Sequence, residues 1–75
     1  MEQEVLNIIA NILNVLPEEI DSNTEIGDLP EWDSLHHLTI IKELEKHFAI
    51  KFDQGDLADC EDISDLITLI KDMTN

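Results

Sequence analysis

The chain is poor in positive charge. Its four basic residues, all lysine, stand against eighteen acidic ones, for a formal net charge of −14 at pH 7. That shortage removes the basic stripe on which nucleic-acid binding depends, so no nucleic-acid partner is expected. Cysteine is nearly missing too: Cys60 is alone, so no intramolecular disulfide can form. A lone thiol fits a reducing cytoplasm better than a secreted scaffold. No basic segment followed by an apolar stretch opens the chain, so no signal peptide is expected. No apolar run approaches the roughly 20 residues of a membrane span, so membrane insertion is not expected either. Internal repeats and low-complexity tracts are absent. With 75 residues there is room for one domain, expected over residues 1–75. A domain of that size buries a modest core and has a small stability margin.

What is abundant is acid. Small soluble domains need a net charge of only about 2 to 8 in magnitude. The excess here costs self-repulsion, steers basic partners and repels nucleic acid and anionic membranes. Simple solubility explains it equally well. The charge favours a monomer.

Apolar spacing divides the chain. Val5, Ile8, Ile9, Ile12 and Leu16 paint a stripe on a first helix from Glu2 to about Val15. Glu2 and Glu4 suit its first turn, and Pro17 cannot continue its interior. A long acidic loop follows to Asp33, without Lys or Arg, broken by Gly27 and Pro30. One helical turn is expected at Pro17–Ile20, with Ile20, Ile26, Leu29 and Trp32 as anchors onto the core. Long loops in small domains are often functional. A second helix is predicted over Ser34–His47, burying Leu35, Leu38, Ile41, Leu44 and Phe48, with Ile40 widening the stripe. His36, Thr39, Lys42, Glu43 and Lys46 fall on its exposed face, and His37 is expected to pack against the loop. Residues 49–63 form a connector with a short helical turn around Gln54–Ala58. Ala49–Phe52 has a strand-like pattern but no second strand to pair with. A last helix spans Ile63–Met73, capped by Asp62, with Ile63, Leu66, Ile67, Ile70 and Met73 inward. The expected fold is all-α: a small bundle of three long helices and one short one, with the long acidic loop between the first two.

Candidate chemistry is sparse. A nucleophilic Ser34 would need a base within reach and a group to orient it. His36 and His37 follow closely, but a helix sends positions i and i+2 to different sides. There is no glycine-rich elbow, and the chain is too short for a walled cleft, so no catalytic residue is assigned. Glu43 and His47 at i, i+4 could begin a metal site, yet a closed zinc site wants four ligands. Asp21–Trp32 superficially resembles a calcium loop, but its glycine comes one place late. Trp32 stands where a bidentate glutamate is needed. No metal ligand is assigned. Ser34 therefore remains either a helix N-cap, for which serine is favoured, or an attachment point. A capping box would have Glu or Gln three residues on, where this chain has His37. An attachment serine needs no local base, because a separate transferase supplies the chemistry. A phosphate ester there would meet free backbone N–H groups at a helix start. Leu35 beside it is expected to point inward and anchor the turn.

Asp33-Ser34-Leu35 resembles the Asp-Ser-Leu motif of acyl carrier proteins, in which the serine bears 4′-phosphopantetheine. The resemblance covers nearly the whole chain: an apolar first helix, a long acidic loop ending in the motif serine, a second helix ending in Leu44-Glu45-Lys46-His47-Phe48, a short third segment, and a last helix introduced by Glu61-Asp62-Ile63-Ser64-Asp65-Leu66-Ile67. It implies an acyl-carrier-like bundle and a carrier holding an acyl or aminoacyl group as a thioester on an arm attached to Ser34. Asp33 and Leu35 would flank the attachment point, and His36, His37, Thr39, Lys42 and Glu43 would form the partner face. The implied partners are a phosphopantetheinyl transferase, an acyl- or aminoacyl-loading ligase and acyl-transferring or condensing enzymes. Two features depart from the family pattern: Trp32 stands where glycine is frequent, and the second helix has His36, His37, Thr39 and Lys42 where fatty-acid carriers are acidic. A specialised carrier is therefore expected, serving a secondary-metabolite, polysaccharide-modification or aminoacyl-transfer pathway. The rival is an unmodified acidic helical interaction module.

Overall fold

The structure, a computed structural model, describes residues 1–74. Helix α1 spans Glu2–Leu13 and ends at Asn14, which adopts a left-handed conformation (φ 60°) and returns its N–H to the carbonyls of Ala10 and Asn11. Asparagine tolerates that conformation better than most residues. Helical spacing therefore stops before Val15. Leu16, predicted to be inward, is 60% exposed. The face α1 buries is Val5, Leu6, Ile9, Ala10 and Leu13. Ile8 and Ile12 pack at its margin, so the predicted stripe is rotated by part of a turn.

A short 3-10 turn at Pro17–Glu19 is closed by Glu19, whose Oε2 accepts from the Leu16 N–H at 2.7 Å. Pro17 begins it, as its fixed φ favours. The loop beyond is ordered by its own polar groups. Asp21 Oδ1 accepts from the Asn23 N–H at 2.8 Å, and Thr24 Oγ1 accepts from the Asp21 N–H at 2.9 Å. Its backbone is then pinned to the start of the last helix. Ser64 N–H donates to Ser22 O at 2.8 Å, Ile63 N–H to Thr24 O at 3.0 Å, and Ile26 N–H to Glu61 O at 2.9 Å. Ile20 and Trp32 are buried, and Ile26 and Leu29 half-buried, so all four expected anchors reach the core.

Helix α2 spans Ser34–Phe48, one residue beyond the expected end. It buries Ile40, Ile41 and Leu44, with Phe48 partly covered. Leu35 and Leu38, predicted inward, are 75% and 54% exposed. The reason is geometric. Strict spacing of three falls about 60° short of a full turn at each step, so Leu35 and Leu44 end on opposite sides of an α-helix. The face that stays inward runs through His37, Ile40, Ile41, Leu44 and Phe48.

At the end of α2, Ala49 is left-handed (φ 56°). Glu45 organises the return: its carbonyl accepts from the Ile50 N–H at 3.0 Å, and its carboxylate from the Phe52 N–H at 2.8 Å. Helix α3, Gln54–Ala58, is capped by Asp53. Helix α4, Ile63–Thr74, buries Ile63, Leu66, Ile67 and Ile70. Asp62 caps it, accepting from the Asp65 N–H at 3.0 Å, and Asp65 reciprocates toward the Glu61 N–H at 2.9 Å. The connector at Ala49–Phe52 is not a strand. Among the described residues the only β-type pairing is the isolated bridge between Glu25 and Asp62. The all-α bundle of three long helices and one short one is as expected.

Candidate functional site

The start of α2 is built by Asp33. It is extended (φ −94°, ψ −177°) and serves as N-cap, its Oδ1 accepting from the His36 N–H at 2.8 Å. The His36 ring closes on the same oxygen, Nδ1 to Oδ1 at 2.8 Å. The bond from the His36 N–H, reinforced by its ring, holds the Asp33 carboxyl below its ordinary 3.8. The cap is thus Asp33, and Ser34 is the first residue inside the helix. This corrects the capping alternative for Ser34 and also limits the free N–H groups beside it, because Asp33 has taken that of His36. The Ser34 side chain is exposed, and among the described residues its hydroxyl enters no hydrogen bond.

Among the described residues neither neighbouring histidine is hydrogen-bonded to Ser34. The His36 ring is held by Asp33, Nδ1 to Oδ1. His37 Nδ1 lies 3.1 Å from the indole Nε1 of Trp32. An indole N–H only donates, so His37 Nδ1 must accept and the neutral ring holds its proton on Nε2. Burial lowers the His37 pKa from its ordinary 6.5. Trp32 is itself 4% exposed, and its ring centroid lies 6.1 Å from that of His37. The expectation that His37 packs against the loop holds, through a specific bond to the residue that departs from the family pattern. Burial and the nearby Asp65, Asp56, Asp59 and Asp62 push the Cys60 thiol pKa up, which disfavours the thiolate.

Two hollows meet at Ser34. A groove of about 520 Å³ runs between α2 and α3, lined by Ser34, His37, Leu38 and Ile41 on one side and Gln54, Leu57 and Ala58 on the other. A smaller hollow of about 210 Å³ lies on the loop side, lined by Ile26, Gly27, Trp32, Asp33, Ser34 and His37. Gly27 is left-handed there (φ 83°), with the carbonyl of Trp32 3.9 Å from where a Cβ would stand. Ser34 and His37 belong to both hollows. Ser34 thus sets an exposed hydroxyl beside a largely apolar groove.

The other predicted positions separate. Thr39, Lys42 and Glu43 are exposed, and the Thr39 hydroxyl donates to Leu35 O at 3.1 Å. Leu35 and Leu38 lie three residues apart on the outer side of α2 and form an apolar ridge there instead of joining the core as expected. His47 turns away from Glu43, its Nε2 meeting Glu4 of α1 at 3.1 Å. That contact is the main cause lowering the Glu4 pKa from 4.5. In the calcium-like stretch, Asp21 and Thr24 are spent on the loop's own backbone. Among the described residues no helix is long and apolar enough to cross a membrane.

Residues 3–70 match the sequence profile described as a phosphopantetheine attachment site. The chain is 33% identical over 66 residues to the non-reducing polyketide synthase pkdA of Emericella nidulans (strain FGSC A4). That match takes in 88% of this chain but 3% of the synthase's length.

Proposed function

The chain belongs to the phosphopantetheine attachment-site family, and on that premise we propose that Ser34 is the residue that bears the arm. The chain's role is that of an acyl carrier with covalent 4′-phosphopantetheine. When bound, the arm supplies a thiol that holds an acyl or aminoacyl group as a thioester. The observation that carries Ser34 is its free, exposed hydroxyl at the first position of α2, left unspent because Asp33 does the capping. Asp33 fixes the helix start and presents a carboxylate beside the hydroxyl to an approaching transferase. Among the described residues no side chain is hydrogen-bonded to the Ser34 hydroxyl, which supports a passive carrier that a separate enzyme modifies.

Leu35 takes a different role from the inward anchor expected of it. With Leu38 it forms an apolar ridge beside the hydroxyl, flanked by His36, Thr39, Lys42 and Glu43. That mixed face supports recognition by a phosphopantetheinyl transferase, a loading ligase and acyl-transferring or condensing enzymes. It is less acidic than a fatty-acid carrier's second helix, and the resemblance to a polyketide synthase points the same way, toward secondary-metabolite synthesis; the lone thiol fits a cytoplasmic setting. Residues 1–75 act in this reading as one carrier domain. His37 belongs to the groove wall more than to the partner face.

Coexpression with a broad-specificity phosphopantetheinyl transferase, followed by intact-mass measurement, tests the assignment. The wild-type chain gains one phosphopantetheine, and Ser34→Ala gains none. No gain in the wild type would favour the unmodified interaction module, and an equal gain in Ser34→Ala would move the attachment elsewhere.

A further inference from the structure

His37 sits on the core-facing stripe of α2, where an apolar residue would be the ordinary choice, and its ring is half used. Nδ1 is taken by the Trp32 indole at 3.1 Å. Nε2 makes no hydrogen bond among the described residues. It is not sealed in either, because no buried side-chain nitrogen or oxygen there lacks a partner. The free N–H therefore opens to the space that His37 lines, which includes the groove shared with Ser34, Leu38 and Ile41.

We infer that His37 is a positioning residue for the prosthetic arm, donating from Nε2–H to a neutral oxygen of the arm's pantoyl segment while Leu38 and Ile41 receive its gem-dimethyl group. The inference rests on Ser34 as the attachment residue. Residues three apart on a helix have Cβ atoms roughly 5–6 Å apart. The acceptors nearest Ser34 Oγ along the arm are its phosphodiester oxygens and then the pantoyl hydroxyl and carbonyl; the thioester end lies much further along. Trp32 decides between the two near acceptors. A phosphodiester is best met by a protonated ring, and an imidazolium would set Nδ1–H against the indole N–H. Burial of the ring opposes that charge as well. A neutral ring with a fixed donor matches a neutral acceptor. The pantoyl segment also pairs an apolar branch with polar oxygens, as the groove pairs Leu38 and Ile41 with His37.

The test uses the whole chain, apo and holo, with the modified residue located by peptide mass mapping. Imidazole 15N spectra should show His37 protonated at Nε2 and bare at Nδ1 in both forms. Loading should shift the Nε2 resonance. The pantoyl methyl protons should show nuclear Overhauser contacts to Leu38 or Ile41. The His37→Phe variant should lose those contacts, and its arm should relax as fast as free phosphopantetheine. The wild-type apo and holo comparison stands even if that variant folds poorly. A holo His37 titration midpoint moved upward would make the phosphodiester the acceptor and overturn the inference. So would an Nε2 resonance unmoved by loading. An arm on Ser34 with no His37 response defeats this inference alone; an arm on another residue defeats the Ser34 assignment and this inference together.

Discussion

Glu45 is the side chain on which the far wall of the Ser34 groove depends. Its carboxylate accepts from the Phe52 N–H at 2.8 Å, and its carbonyl accepts from the N–H groups of Ala49 and Ile50. Phe52 is 7% exposed, so replacing the carboxylate leaves a largely buried N–H without its partner. Hydrogen bonds to charged groups contribute about 1.5–3 kcal/mol, and an orphaned buried donor costs a similar amount. We therefore expect Glu45→Ala to lose roughly 2 kcal/mol, and Glu45→Gln, which keeps an acceptor, to lose less than half of that. A chain of this length has a total stability of about 4–11 kcal/mol. At about 4–8 °C per kcal/mol for a small domain, the Ala variant should melt roughly 8–16 °C lower. Urea unfolding, followed by circular dichroism and by the fluorescence of the single, buried Trp32, measures it. The two probes should coincide if unfolding is two-state. Equal losses in Ala and Gln, or an Ala loss below about 0.5 kcal/mol, would show that the bond does not organise the α2–α3 return.

Ala49 carries a left-handed conformation (φ 56°) that costs an L-residue about 1–2 kcal/mol and glycine little. After glycine's greater loss of chain entropy, Ala49→Gly should still stabilise by roughly 0.5–1 kcal/mol in the same urea assay, and a destabilised variant would contradict it. Because burial holds His37 below 6.5 when folded, the unfolded chain binds that proton more readily. The ring's stabilising contribution is then full above about pH 6.5 and declines as pH falls toward the lower folded value. Wild type should lose stability relative to His37→Phe between pH 7.5 and 5; a difference flat with pH would refute the burial. Leu35 is 75% exposed, so Leu35→Ala should stay within about 0.5 kcal/mol of wild-type stability. If the ridge is read by the transferase, modification should slow by about 10-fold, the equivalent of roughly 1.4 kcal/mol. Unchanged kcat/KM would remove Leu35 from that contact.

Some of this molecule was open to reading along the chain. The last helix was legible because Leu66 and Ile67 each stand three or four residues from both Ile63 and Ile70, which keeps all four on one side. The 3-10 turn was legible from Pro17, whose fixed φ suits a first helical position. The second helix misled because Leu35, Leu38, Ile41 and Leu44 repeat every third residue. That series contains both faces, and only packing decides which part is inside. His37 was the available signal: a polar residue in register with Ile40, Ile41, Leu44 and Phe48, preceded five residues earlier by the one tryptophan. The indole N–H of Trp32 satisfies its ring there.

The cap is where a shift of one residue changes the chemistry. Had Ser34 been the N-cap, its oxygen would accept from a backbone N–H two or three residues on, and its hydroxyl would be held within the helix start. With Asp33 in that position, the carboxylate takes the His36 N–H and its ring. Ser34 then stands one step into α2, its backbone fixed by the helix and its hydroxyl uncommitted. An attachment residue needs both properties, since the helix sets the direction in which an arm leaves and a free oxygen lets the arm be added without unmaking a bond of the fold. In the proposed role the order Asp-Ser divides two tasks, capping by Asp33 and attachment at Ser34, and the Leu35–Leu38 ridge follows from the same register, because the helix that begins at Ser34 turns those two side chains away from the core.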